Sequence, residues 1–348
     1  MGQARTYFGS HPFIRSLLAR LASLVLLAWG LTLIAFTLTH LVPGDPVLAN
    51  LGLEQVGNPA IVQAYKERYG LDKPVPQQYL IYLQNLAHGN LGVSEQSLRP
   101  VAVDLAEYVP ATIELAVTTT LLAVVFGIGL GTLTATHRNK PIDHVVRVFC
   151  LAGISTPTFW LGLIALYLFF FKLGWLPGTG RLDPVIGSPS HITGFYTVDS
   201  LLAGQIGVFL NALGHLLLPA AVLAVPQIAL LTRFTRAVVL DVAQEEFINT
   251  ARAKGLSQIS VLRHLLRAAL PPIITIAGFQ FADVLTGTVL VETIFAWPGV
   301  GRYAFQSATT LDLPAIMGVT LFVALVFIVV NFVIDTLYGV IDPRLRTA

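Results

Sequence analysis

Charge is what this 348-residue chain lacks most: Asp, Glu, Lys and Arg make up 11% of it, where a soluble domain carries roughly a quarter. With 55% hydrophobic residues and a mean hydropathy of +0.73, that scarcity excludes a soluble globular protein and implies an integral membrane protein. The single cysteine, Cys150, lies inside an apolar run, which excludes a disulfide framework and a cysteine metal site. No Gly-x-x-x-x-Gly-Lys-Ser/Thr stretch occurs, so this chain has no phosphate-cradling loop for ATP. His-Glu-x-x-His and a nucleophile elbow are missing too, and the eight histidines are scattered. A membrane hydrolase therefore finds no local support, and no catalytic or metal-ligating residue is assigned. The net charge of +2 is too small to imply a nucleic-acid partner.

What the chain does have is a series of apolar runs. Residues 21–39 carry no charge and follow Arg5, Arg15 and Arg20, which reads as a first span with its N-terminus in the cytoplasm. A signal peptide ending near Val47-Leu48-Ala49 is the rival reading, but the run is longer than a signal core and Pro43-Gly44-Asp45-Pro46 intervenes. Further spans are expected at 115–136, 148–171, 216–232, 268–291 and 313–334. The third is interrupted at Pro157, which frees a backbone carbonyl tolerable only against protein or a water-lined cavity. The fourth carries Pro219 and Pro226, and the apolar, glycine-broken section 204–213 before it reads as interfacial. Residues 43–108 are polar, with one helix from Pro59 through Tyr69 ended by Gly70 and another, marked by Tyr79, Tyr82, Leu83 and Leu86, ended by Gly89.

These runs predict a division into 1–42 (N-terminus and first span), 43–108 (an external helical insertion) and 109–348 (a five-span core with a cytoplasmic loop at 233–267). Fourteen of the 21 Lys and Arg fall on the segments assigned to the inside, which is the positive-inside pattern. An even span count places both termini in the cytoplasm.

The stretch from Asp241 to Pro272 is the only long, charge-rich segment between two strongly apolar runs, and it must face water. Glu245 and Glu246 precede Phe247, Ile248 and Ala251, Lys254 closes the turn and Gly255 follows: acids at the positive end of a short helix, a cation at the negative end, glycine just beyond. Ser257 then caps a second helix whose apolar positions Ile259, Leu262, Leu265 and Leu266 recur at helical spacing.

Around that joint the residues read Asn249-Thr250-Ala251-Arg252-Ala253-Lys254-Gly255-Leu256, then His264 and Arg267-Ala268-Ala269-Leu270-Pro271. This resembles the cytoplasmic coupling loop of ABC-importer permeases, in the branch that takes up dipeptides, oligopeptides and nickel. Asn249 and Thr250 depart from the general Glu-Ala-Ala version, as they do in the peptide branch, so Ala251 and Gly255 carry over. Three further stretches share the resemblance: His40-Leu41-Val42-Pro43-Gly44-Asp45-Pro46, the run from Glu292 to Arg302, and the run from Asp335 to Arg344. In Gly89-Asn90-Leu91-Gly92, Asn90 stands where the family usually has Asp.

The resemblance implies an all-α integral membrane protein, with six spans of the type I ABC-importer permease kind and a small helical external domain between spans one and two. It implies one half of a translocation pathway in a prokaryotic cytoplasmic membrane, working by alternating access. The partners would be a second permease, two cytoplasmic ATPases that bind ATP and Mg, and an external substrate-binding protein, with no cofactor on this chain. Glu245, Glu246, Asn249, Thr250, Ala251, Arg252, Lys254, Gly255 and Leu256 would couple to the ATPases. Short peptides are the expected cargo; nickel, haem, glutathione or another small solute is the alternative. A secondary transporter would need inverted repeats, and none is seen. Glu114, Asp283, Glu292 and Asp335 are ionisable groups in or at the ends of spans, where charge is costly and usually faces a bundle interior or a cavity. Glu114, Asp283 and Glu292, with Pro157, are the candidates for a cavity or gate. Asp283, deepest in its span, is the strongest of them.

Overall fold

The computed structural model describes residues 57–341 and a few helical positions between Leu26 and Thr37. Most of the expected first span, the Pro43–Pro46 turn and the chain end beyond Ile341 lie outside the described residues. Every regular element described is helical, apart from one isolated bridge between Val93 and Pro100. The chain divides into two compact units, Met1–Ala102 with Leu311–Ile328, and Val103–Thr310 with Val329–Ala348.

In the first unit, α1 (Pro59–Tyr69) starts where the Asn58 side chain accepts from the Ala60 N–H and Pro59 supplies a pre-set φ. It stops at Gly70, whose φ of +64° suits a residue with no Cβ. Helix α2 (Val75–Ala87) brings Tyr79 and Tyr82 against Phe36, and the Tyr79 and Thr32 hydroxyls lie 2.9 Å apart. Asp312 is the polar anchor of this unit. Its buried carboxylate caps the long helix that follows by accepting from Ala315 N–H, and it holds the 94–99 turn through Ser94 Oγ (2.6 Å), Glu95 N–H and Gln96 N–H.

The second unit contains α3 (Val101–Thr136), α4 (Pro141–Ser155), α5 (Thr158–Ala165) with a π-helix (Leu166–Lys172), α6 (Tyr196–Leu202) and α7 (Ile206–Val242). It continues with α8 (Glu246–Ala253), α9 (Gln258–Gly287), α10 (Val289–Ile294) and α11 (Val300–Thr310); α12 (Leu313–Ile341), which belongs to the first unit as far as Ile328, closes the described chain. Four helices are long and apolar enough to cross a membrane, α3, α7, α9 and α12, and α4 with α5 and the π-helix makes a fifth if counted as one span.

Two expectations change in physical detail. The 36 residues of α3 and 37 of α7 reach about 54–56 Å at ~1.5 Å per residue, far beyond the ~30 Å apolar layer, so helix continues where only loop was read. The 204–213 section is largely the first turns of α7: Gly204, at φ +68°, ends the preceding turn, and the helix runs on through Gly207, Gly214, Pro219 and Pro226. At Pro157 the expected interruption is a sharp bend of 102°. Thr156, pushed to extended backbone by the proline after it, ends α4 and satisfies the Ala152 carbonyl with its own hydroxyl at 2.7 Å.

Helix α7 is the core of this unit. Half of its apolar window is buried, against about a third or less for the other spans, and it packs on α4, α5, α6, α9 and α10. Small residues let α3 meet it. A Cβ on Gly127 would come within 2.8 Å of Leu231 Cβ, and one on Gly131 within 2.6 Å of Thr235 Cβ and 2.8 Å of the Thr232 carbonyl. Nothing lies within 4 Å of the same point on Gly129. Gly131→Ala is therefore expected to destabilise the protein by about 1–3 kcal/mol through overpacking, while Gly129→Ala gains up to about 1 kcal/mol from helix propensity. Thermal unfolding of the two variants in one detergent checks the opposite signs.

Candidate functional site: the α8 joint and the ion pairs around it

Helix α8 begins directly after α7 and is only eight residues long, too short to be stable without support. The support is tertiary. Ile248 (0% exposed) and Ala251 are spaced to fall on one face and enter a cluster made by Ala135, Leu231, Val239, Val261, Leu265, Ala269 and Ile273, from α3, α7 and α9. Burying Ile248 alone contributes roughly 1.5–3 kcal/mol. The opposite face is left open: Glu246, Phe247, Asn249, Thr250, Arg252 and Lys254 are exposed, and so are Gly255, Leu256 and Ile259 beyond the helix end.

The joint closes with a specific hydrogen-bond pattern. Gly255 N–H donates to the Arg252 carbonyl (2.9 Å) and Leu256 N–H to the Ala251 carbonyl (3.3 Å), the two bonds of a Schellman stop, with Gly255 at φ +72°. Ser257 Oγ then accepts from Ser260 N–H to start α9. Of the residues assigned to coupling from the sequence, eight are brought to one exposed surface, including Glu245, and Ala251 is the foot that holds it down.

Sequence reasoning missed the clamp behind this joint. Asp143, in the first turn of α4, is fully buried. Its two oxygens accept from Arg236 Nε and Nη2, both at 2.9 Å, in the bidentate geometry that only a guanidinium provides. Asn139 N–H donates to the same carboxylate at 3.0 Å, and Arg147 Nε lies 3.4 Å away. Arg236 is on α7 less than two turns before its end, so the pair ties the turn between α3 and α4 to the helix that carries α8. The signal in the sequence was an acid just after Pro141, among cations; its partner is 93 residues away.

Three candidate carboxylates occupy very different places. Glu292 is 0% exposed and accepts from Thr112 Oγ1 (2.7 Å), Thr288 Oγ1 (2.8 Å) and Arg302 N–H (2.8 Å). The run from Glu292 to Arg302 is folded around it: a Cβ on Gly299 or Gly301 would come within 2.4 Å and 3.0 Å of the carboxylate, and Trp297 Nε1 donates to the Ala111 carbonyl. Glu114, also buried, is ion-paired with Arg181 and accepts from Thr197 N–H and Oγ1.

Arg181 in turn donates to the Gly194 carbonyl and lies 3.6 Å from the centre of the Tyr196 ring. That carbonyl is presented by a loop organised on Asp199, which accepts from Ile192, Thr193 and Gly194 N–H and from Thr193 Oγ1. Burial acts to raise the Asp199 carboxyl, and these donors outweigh it and hold the group below the usual range.

Asp283 differs from both. It is exposed on α9 and takes a single 3.2 Å bond from Gln227 Nε2 on α7, while Gln280 Nε2 donates to the Gln227 carbonyl. These groups form a polar strip on two spanning helices. Pro157 lies at the α4–α5 bend. Among the described residues no three His, Cys, Asp or Glu are grouped to hold a metal ion.

Comparison with known proteins follows the same line. The family described as binding-protein-dependent transport system inner membrane component matches residues 127–347, and its N-terminal companion matches residues 13–116. The chain is 46% identical over 323 residues to the probable D,D-dipeptide transport system permease protein DdpB of Escherichia coli (strain K12), covering 92% of this chain and 94% of the relative. It is 44% identical over 328 residues to the di/tripeptide transport system permease protein DppB of Pseudomonas aeruginosa (strain UCBPP-PA14), covering 94% and 97%. To the dipeptide transport system permease protein DppB of Alkalihalophilus pseudofirmus it is 36% identical over 331 residues, covering 94% and 98%.

Removing one partner of the clamp leaves an uncompensated buried charge. Asp143→Ala is expected to cost on the order of 3–5 kcal/mol, and the doubly exchanged Asp143→Arg, Arg236→Asp protein to recover part of it. Arg147→Ala, at a side chain 42% exposed, costs under about 1 kcal/mol. Denaturation of the three proteins in detergent measures the order.

Proposed function

Because this chain belongs to the family of binding-protein-dependent transport system inner membrane components, we propose that it is the permease subunit of an ATP-driven peptide importer, with α8 as the element that couples it to its ATPases. The observation that carries the coupling role is the α8 joint: a short helix anchored on one face by Ile248 and Ala251, exposed on the other, and hinged at Gly255. A rigid foot with an open face is what a partner needs in order to push on the spans. The sequence has no phosphate-cradling loop, which supports the reading that ATP, with its Mg, binds on separate chains.

In this reading α8 lies in the cytoplasm, as do both termini, and the opposite ends of the spans meet an external substrate-binding protein. A second permease completes the pathway. When the ATPases close, they displace α8; the buried clamp between Asp143 and Arg236 passes the displacement to α4 and α7, and the spans rock from inward-open to outward-open. Glu114 and Glu292 belong to a frame at the far end that keeps its shape during that motion, and the bend at Pro157 leaves α4 and α5 free to change their angle. The polar strip of Gln227, Gln280 and Asp283 supplies an acceptor for the amino terminus of a passing peptide. Short peptides are the proposed cargo, in keeping with the dipeptide and di/tripeptide permeases to which the chain is similar.

Gly255→Val is expected to leave expression and membrane insertion near normal, because the spans are untouched and no atom lies within 4 Å of the added Cβ. The strain is in the backbone: a β-branched residue at φ +72° costs about 1–3 kcal/mol and distorts the stop. Peptide uptake and ATPase recruitment in vesicles holding the whole complex should both fall, or hydrolysis should continue without uptake. Normal uptake with normal recruitment would reduce α8 to a surface helix.

A further inference from the structure

The far end of α7, roughly 45 Å of helix away from α8, carries a cleft that the importer reading does not use. It is built by an unusual backbone. The α5 helix loosens into the π-helix at Leu166–Lys172, a geometry that recurs at functional sites. The chain then reverses at Gly174 (φ +60°), and Trp175 N–H returns to the Phe169 carbonyl at 2.9 Å. Two glycines let the walls close up. A Cβ on Gly178 would lie 3.0 Å from the Phe170 ring, and one on Gly214 would lie 3.4 Å from Pro177. The resulting space, about 430 Å³, is walled by Phe170, Trp175, Pro177 and Leu210, with Asp183 and Asn211 as its polar lining. Small-molecule sites begin at ~300 Å³.

Asp183 is held in a fixed orientation. Asn211 Nδ2 donates to Asp183 Oδ2, and Asp183 N–H donates back to Asn211 Oδ1 at 3.0 Å. Its other oxygen lies 3.6 Å from Nε2 of the buried His215. The Nδ1 of that ring is 3.0 Å from the Asn211 carbonyl, which accepts only, so Nδ1 carries a proton and the ring is held in place between Asn211 and Asp183.

Among the described residues no Lys or Arg is paired with Asp183: Arg181 is committed to Glu114, and Lys172 lies over the Tyr167 ring. Nearly half of the Asp183 side chain, 47%, remains exposed. Around the cleft the surface is apolar: Phe171, Leu173, Trp175, Ile206 and Leu210 are all exposed, at the ends of helices long enough to span a membrane. A fixed, half-exposed carboxylate with no Lys or Arg partner among the described residues, set under aromatic walls, selects a cation on a hydrocarbon stem. An apolar rim of this kind, with an exposed Trp, fits the membrane–water boundary, where such cations are lipid headgroups.

We infer that the Asp183 cleft binds a primary ammonium group, supplied by the headgroup of an aminolipid. The test is thermal unfolding of the full chain in nanodiscs made with phosphatidylglycerol alone or with added phosphatidylethanolamine, and in the former with millimolar ethanolamine. Wild type should gain a few degrees with phosphatidylethanolamine. Asp183→Asn should unfold as wild type does in phosphatidylglycerol alone and show no gain, and Trp175→Ala should lose most of the gain, which keeps the test informative if the first variant folds poorly. A response to ethanolamine alone as large as that to the lipid would overturn the lipid as the source. A lipid response that survives in Asp183→Asn, or none in wild type, would overturn the site.

Discussion

Taking a carboxyl group out of water is costly unless donors replace contacts that it loses, and the second unit of this chain sets donors around its buried ones at a few points. Asp143 receives Arg236 and a backbone N–H; Glu114 receives Arg181 and Thr197; Glu292 receives two threonine hydroxyls and a backbone N–H. Each of these groups joins elements distant in sequence, with donors from one and the acceptor from another. A chain with so little charge does not scatter its acids through apolar helices without a use for them. Here the buried ones act as rivets, and the helices between them pack through apolar and small residues.

That arrangement explains why α7 can serve as a lever. It is the most enclosed helix, it touches most of its neighbours, and it is fixed near one end by the Asp143 pair just before the chain turns into α8. The short helix is then held by its chain links to α7 on one side and to α9 on the other, and by the apolar contact through Ile248 and Ala251. Asp283 and the half-exposed Asp183 have no Lys or Arg partner among the described residues, and both lie where a ligand can supply one.

Much of this was legible in the sequence, because local chemistry determines it. The start at Pro59, the stop at Gly255, the cap at Ser257 and the break at Pro157 each depend on residues within one or two turns, and the structure has all four where the residues put them. Span lengths were less legible. Arg233 and Arg236 read as the end of a span, but a charged residue ends the bilayer and not the helix, and α7 continues to Val242. The pairing of Asp143 with Arg236, or of Glu114 with Arg181 across 67 residues, has no local trace: any of several cations satisfies the same composition, and only the tertiary structure brings the partners together.

The claim on which this account turns is that the exposed face of α8 is where the ATPase sits. Its most direct measurement is photo-crosslinking in intact cells from a benzoylphenylalanine placed at Thr250, on the open face, with one at Ser97 for comparison. The account predicts an adduct of the mass of this chain plus one ATPase subunit from Thr250 and none from Ser97. No ATPase adduct from Thr250 in cells that transport normally, or the same adduct from Ser97, would contradict it.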